Sequence, residues 1–137
     1  MLDPVRAPVR RGLAASLLAC ALLAGCGESE PSPEQQVRRT LTDFGRATSA
    51  KDYRALCEEI FAPQLVEELK QVGLPCELAM QQSLEDVEDA NITVGKVTVT
   101  ENGASAEVRS SAKGQRPSQD TVELVQVDGA WRITSLG

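Results

Sequence analysis

Val127-Asp128-Gly129-Ala130-Trp131-Arg132-Ile133 is the stretch on which the fold turns. Asp-Gly between alternating residues is a two-residue hairpin signal, because both turn positions need positive φ. The turn sets a register that places Leu124 opposite Ile133 and Gln126 opposite Trp131. Upstream, Asn102-Gly103 carries the same signal and predicts Val99 opposite Ala106 and Val97 opposite Val108. Before it, Ile92-Thr93-Val94 and Val97-Thr98-Val99 both alternate, with the phase slipping at Gly95-Lys96, as at a β-bulge that bends the strand. Thr98, Glu107, Glu123, Arg132 and Thr134 fall on the other face, with Ser110, Gln126 and Ser135 as the polar groups of the apolar one. Four antiparallel strands follow, one face covered and one solvated, with residues 113–120 as a polar loop between two hairpins.

The covering layer is helical and comes first. Ser32-Pro33-Glu34-Gln35 is a capping-box start with proline at the first helical position. Val37, Leu41, Phe44 and Thr48 then recur at helical spacing to about residue 49. Asp52 caps a second helix, residues 53–61, which ends before Pro63. A third runs from Pro63 to Val72 with Gly73 as C-cap, and a fourth from Cys76 to about Val87.

Outward from the domain, residues 1–26 read as an export signal. A basic segment with Arg6, Arg10 and Arg11 precedes an apolar stretch from Leu13 to Leu23, then Leu23-Ala24-Gly25-Cys26. The apolar stretch is too short to cross ~30 Å of hydrocarbon as a helix. The order is that of a bacterial lipoprotein signal, with Cys26 as the lipid acceptor. Residues 1–25 would be removed, residues 26–32 would form the lipidated cysteine and a polar tether, and residues 33–137 the domain. An uncleaved anchor, a buried helix and a free Cys26 thiol are the other readings. Arg10-Arg11 leaves the general and twin-arginine export routes both open. The expected location is the outer face of the bacterial cytoplasmic membrane.

The four cysteines fit that order. Cys20 leaves with the signal and Cys26 takes lipid, so Cys57 and Cys76 remain in an oxidising compartment, where two leftover thiols usually pair. A metal pair or redox couple is the alternative, disfavoured because the chain has no histidine and no CxxC spacing. A bridge closing about twenty residues stabilises by on the order of 3 kcal/mol in the chain-entropy account.

Helices followed by a bent meander ending in D-G-x-W-R-I resemble the nuclear transport factor 2-like superfamily, within the cystatin-like α+β folds. Phe44, Asp52-Tyr53-Arg54-Ala55-Leu56-Cys57, Pro63 and the stretch from Val127 to Ile133 carry the likeness. It looks specifically like the small envelope lipoproteins of that group, whose helical segment often holds paired cysteines like Cys57 and Cys76. The resemblance implies a cone closed by helices over a four-stranded sheet, made shallower here because residues 62–75 read as helix where fuller members insert a hairpin. It also implies either an enzyme of isomerase, dehydratase or hydrolase type or a non-catalytic binding domain, a choice the fold cannot make.

The residues favour binding. The net charge of −6 becomes more negative once three arginines and one aspartate leave with the signal, which argues against nucleic acid and anionic headgroups. With no histidine and no buried carboxylate pair in view, no catalytic constellation is assembled. The acidic runs Glu58-Glu59, Glu67-Glu68 and Glu85-Asp86 with Glu88-Asp89 lack the looped Asp/Asn and glycine pattern that wraps calcium. No metal or cofactor is expected. The expected pocket lining is Trp131, Gln126, Leu124 and Ser110, with Trp131 mainly a core anchor whose N–H is satisfied. The expectation is a tethered module for a small apolar ligand or an envelope protein. An accessory domain acting only with a neighbouring protein, and a cone enzyme, are the other readings.

Overall fold

The computed structural model describes residue 27 and residues 29–137; the signal segment and Cys26 lie outside the described residues. Helix α1 (Pro33–Ala50) opens with the capping box: Gln35 N–H donates to the Ser32 hydroxyl, and the Gln35 side chain accepts from the Ser32 N–H. Its stripe of Val37, Leu41, Ala47 and Thr48 is buried. Asp52 caps a short α2 (Tyr53–Ala55) through the Ala55 N–H.

The second helix does not stay α-helical to Phe61. Leu56–Ile60 form a π turn, closed by Phe61 N–H to the Leu56 carbonyl at 2.9 Å. The wider turn buries both Leu56 and Ile60 and delivers Phe61 to the sheet, where it bridges Ile133. Helix α3 (Pro63–Gln71) ends near Gly73, and α4 (Cys76–Ser83) ends a turn earlier than its apolar residues suggested. Leu84 continues as a turn through residue 86, and Val87 lies just beyond it.

The sheet is a meander, β1-β2-β3-β4, formed by Asn91–Val99, Ala104–Ser111, Ser118–Val127 and Ala130–Leu136. Val37, Leu41, Leu56 and Phe61 from the helical layer meet Ala106, Val122, Leu124 and Ile133 from its inner face. The fold is α+β, helices packed on one face of a bent four-stranded antiparallel sheet.

The Asp128-Gly129 turn has φ of 51° and 81°, and Leu124 opposes Ile133 while Gln126 opposes Trp131, as the sequence predicts. The bulge at Gly95-Lys96 is also present, between Val94 and Val97. The Asn102-Gly103 register is different. Val99 opposes Ala104 and Val97 opposes Ala106, two residues from the expected pairing, around a longer loop closed by Thr100 N–H to the Gly103 carbonyl. Neither Asn102 nor Gly103 has positive φ, so the primed turn is not formed. Gly103 is there for another reason: a Cβ would sit 2.6 Å from the Leu124 carbonyl oxygen. A shift of two preserves side-chain parity, so the inner face kept its composition.

Two further corrections bear on the site. Strand β3 begins at Ser118, so Ser118, Gln119 and Asp120 belong to the sheet rather than to the polar loop. A second bulge, at Glu123/Leu124, makes Leu136 the partner of buried Val122 and puts Leu136, still 42% exposed, rather than Ser135 on the cavity side.

Candidate functional site

A cavity of about 370 Å³ opens where the starts of β1 and β3 meet the ends of β2 and β4. Phe44 and Thr48, on the C-terminal half of α1, form its roof, and Leu84, Val87 and Ala90 close one side. The floor is the inner face of the sheet, with Ile92, Val108, Val122 and Leu136 supplying apolar surface. The volume lies at the low end of the roughly 300–1,000 Å³ typical of small-molecule sites.

Polar side chains interrupt that surface, Asn91, Ser111 and Gln115 among them, and three features bear most on binding. Thr48 is 9% exposed, and its hydroxyl is buried with no hydrogen-bond partner among the described residues. A hydroxyl without a partner is unusual, since buried polar groups nearly always have one. On the floor, the Ser110 and Ser118 hydroxyls lie 2.7 Å apart, and Ser118 donates to Asp120 Oδ2 at 2.8 Å. At the mouth, Arg116 forms no ion pair with any described residue. Arg116 and Asp120 are the ionisable side chains lining the cavity, and both are exposed.

Of the four residues expected to line a pocket, Ser110 alone borders this cavity. Leu124 is buried in the core, and Gln126 is exposed near the Asp128-Gly129 turn. Trp131 borders a separate groove of about 260 Å³, with Gln36, Arg39, Thr40 and Glu59 around it. Gln126 is eight residues beyond Ser118 on β3, a span of about 25 Å at ~3.3 Å per residue, so the two ends cannot serve one small site. The sequence reading missed Thr48 as a polar group, Ser118 and Asp120. The inner phase of Val122 and Leu124, continued backwards, lands on Asp120 and Ser118 and was the available signal.

Trp131 is buried at 6% exposure, as a core anchor should be, but its N–H has no partner among the described residues. The polar neighbours are engaged elsewhere: Thr40 Oγ1 reaches the Gln36 and Trp131 carbonyls at 3.3 and 3.4 Å, and Gln36 donates to the Pro31 carbonyl.

On the outer face of the sheet, Arg132 donates to the Glu58 carbonyl at 2.8 Å. The acidic helical runs are exposed and meet neighbouring cations, as in Arg54–Glu58 at 2.9 Å and Lys113–Glu88 at 3.3 Å. The hydrogen bond to Glu58, with that carboxylate's charge, holds the Arg54 guanidinium above its ordinary pKa. Among the described residues, no three His, Cys, Asp or Glu side chains cluster to hold a metal, and no helix is long and apolar enough to cross a membrane.

Helices over a bent meander are shared with solved structures. An NTF2-like protein of unknown function from Silicibacter pomeroyi DSS-3 is 20% identical, with a TM-score of 0.56 over 74% of this chain and 89% of its own. One from Shewanella baltica OS155, also of unknown function, is 13% identical, with a TM-score of 0.55 over 74% and 87%. The de novo designed NTF2 fold protein NT-9 is 16% identical and superposes at 0.52 over 76% and 85%. The fold is therefore the nuclear transport factor 2-like one. No protein-family model and no curated protein matches the chain.

Proposed function

We propose that the chain is a lipid-tethered envelope protein whose domain binds a small, mainly apolar molecule in this cavity without transforming it. The observation that carries the reading is the wall: apolar on most sides, broken by the unpartnered Thr48 hydroxyl, and free of buried ionisable side chains among the described residues. Acid–base catalysis relies on groups whose proton affinity is tuned by burial or by close charges. Arg116 and Asp120 stand in solvent instead.

Ala112, half-buried at the cavity mouth, gives a blocking variant that leaves the core intact. Protein purified from its membranes is expected to carry a small-molecule adduct in native mass spectra, and Ala112→Trp to lose it at unchanged melting temperature. An equal adduct load in both proteins, or turnover of a bound molecule, would overturn the reading.

The tether rests on the sequence Leu23-Ala24-Gly25-Cys26. Cys26→Ser is expected to release the protein from the membrane fraction or to leave it as an uncleaved precursor. Wild-type protein whose intact mass shows another N-terminus and no acyl chains would contradict it.

A further inference from the structure

We propose that the cavity selects an uncharged ligand bearing an O–H donor, an alcohol or phenol on an apolar body, over carboxylates, ammonium ions and ethers. The inference rests on the binding reading above and concerns which chemistry that cavity prefers. Its basis is the direction of the hydrogen bonds on the floor. A carboxylate only accepts, so the Ser118 hydroxyl directs its single hydrogen to Asp120 Oδ2. Ser118 then has no hydrogen left for Ser110, and the 2.7 Å contact between them is Ser110 donating to Ser118. Both hydrogens run toward Asp120, and what Ser110 turns to the cavity is lone pairs. A ligand that donates to Ser110 is satisfied; one that can only accept meets another acceptor there and is left with the Thr48 hydroxyl alone on the opposite wall.

The charges at the mouth point the same way. Arg116 and Asp120 have opposite signs and both remain in water, so neither gives an ionised ligand a counter-charge at depth. An ion drawn in among Phe44, Ile92, Val108 and Leu136 would lose hydration that neutral groups such as the Thr48 hydroxyl replace only in part. An uncharged head does not suffer this loss.

The test uses one apolar body with four heads: 4-butylphenol, 4-butylanisole, 4-butylbenzoate and 4-butylbenzylammonium, titrated calorimetrically into the full chain. Only binding that Ala112→Trp removes is counted, which subtracts partition into detergent. Butylphenol is expected to bind about tenfold more tightly than each of the others, the usual scale for one unmatched polar contact. Asp120→Asn supplies the control. Its amide can donate to Ser118, which reverses the ladder and lets Ser110 donate, so the preference for phenol over anisole should collapse while melting temperature holds. Equal cavity binding of phenol and anisole, tighter binding of either ion, or an unchanged preference in Asp120→Asn would each overturn the donor inference and leave the binding reading standing. Binding of all four probes that Ala112→Trp does not touch would overturn both.

Discussion

Trp131→Ala is expected to destabilise the domain by about 3–5 kcal/mol, the range of large aromatic truncations in packed cores. Trp131 is 6% exposed and belongs to the same cluster as Leu41, Ile60, Leu124 and Ile133. It lies where α1 and the π turn meet the Asp128-Gly129 end of the sheet, beside Thr40 and Ile60. Trp131→Phe separates packing from polarity. It keeps an aromatic body and removes an N–H that is buried without a partner, a group that costs about 1–3 kcal/mol when left unsatisfied. The phenylalanine variant should therefore lose less than half of what the alanine variant loses. Urea denaturation of both variants measures this, and the emission of this sole tryptophan should be blue-shifted and poorly quenched by acrylamide. Unchanged stability of Trp131→Ala, with a red-shifted and readily quenched wild-type indole, would make Trp131 a surface residue.

The layers of this fold were legible because each depends on a short-range rule. Period two over residues 92–99 and 122–133, the capping box at Ser32 and the primed turn at Asp128-Gly129 are local, and local geometry delivered them. Asn102-Gly103 failed as a turn signal because a tertiary contact had the prior claim on the glycine. Its missing side chain accommodates the Leu124 carbonyl, and a primed turn would have needed positive φ there instead. The π turn at Leu56–Ile60 was not legible either, since its cause is the docking of Phe61 beside Ile133, distant in sequence.

The site was less legible than the fold. Apolar patterning says which residues face inward, but a cavity is the place where inward-facing residues fail to meet, and no periodicity records that gap. Ser118 and Asp120 were hidden for a simpler reason. Gln115-Arg116-Pro117-Ser118 has turn-like composition, so the sequence reads as polar loop through Asp120. The second bulge, at Glu123/Leu124, compounded the error by exchanging Ser135 for Leu136 on the inner face. Trp131 is the lone tryptophan, yet the antiparallel order places it at the end of the sheet away from the cavity.

Loss of the Cys57–Cys76 disulfide is expected to cost on the order of 3 kcal/mol and to loosen α3 before anything else. The bridge joins the π turn to the first residue of α4 with a Cα–Cα distance of 5.9 Å, within the ordinary range for a disulfide, across a sequence separation of 19. Between its ends lie the rest of the π turn with core-buried Ile60, Phe61 and Ala62, and then α3 with its connections. Helix α3 buries no residue fully; Leu65, Val66 and Leu69 only lean on the core, and Val72 beyond it is 78% exposed. Packing that thin gives α3 little stability of its own, so the covalent link between its two ends holds the segment in place. Helix α1, with four buried residues of its own, does not depend on the link in this way. Native protein should show no alkylatable thiol at either position. The double variant Cys57→Ala, Cys76→Ala should melt on the order of 10 °C lower, as a loss of this size does in a domain of about a hundred residues. In hydrogen exchange at neutral pH, the amides of α3 should lose protection well before those of α1. A variant whose α3 exchanges as slowly as wild type, or whose melting temperature is unchanged, would show that α3 is held by packing alone.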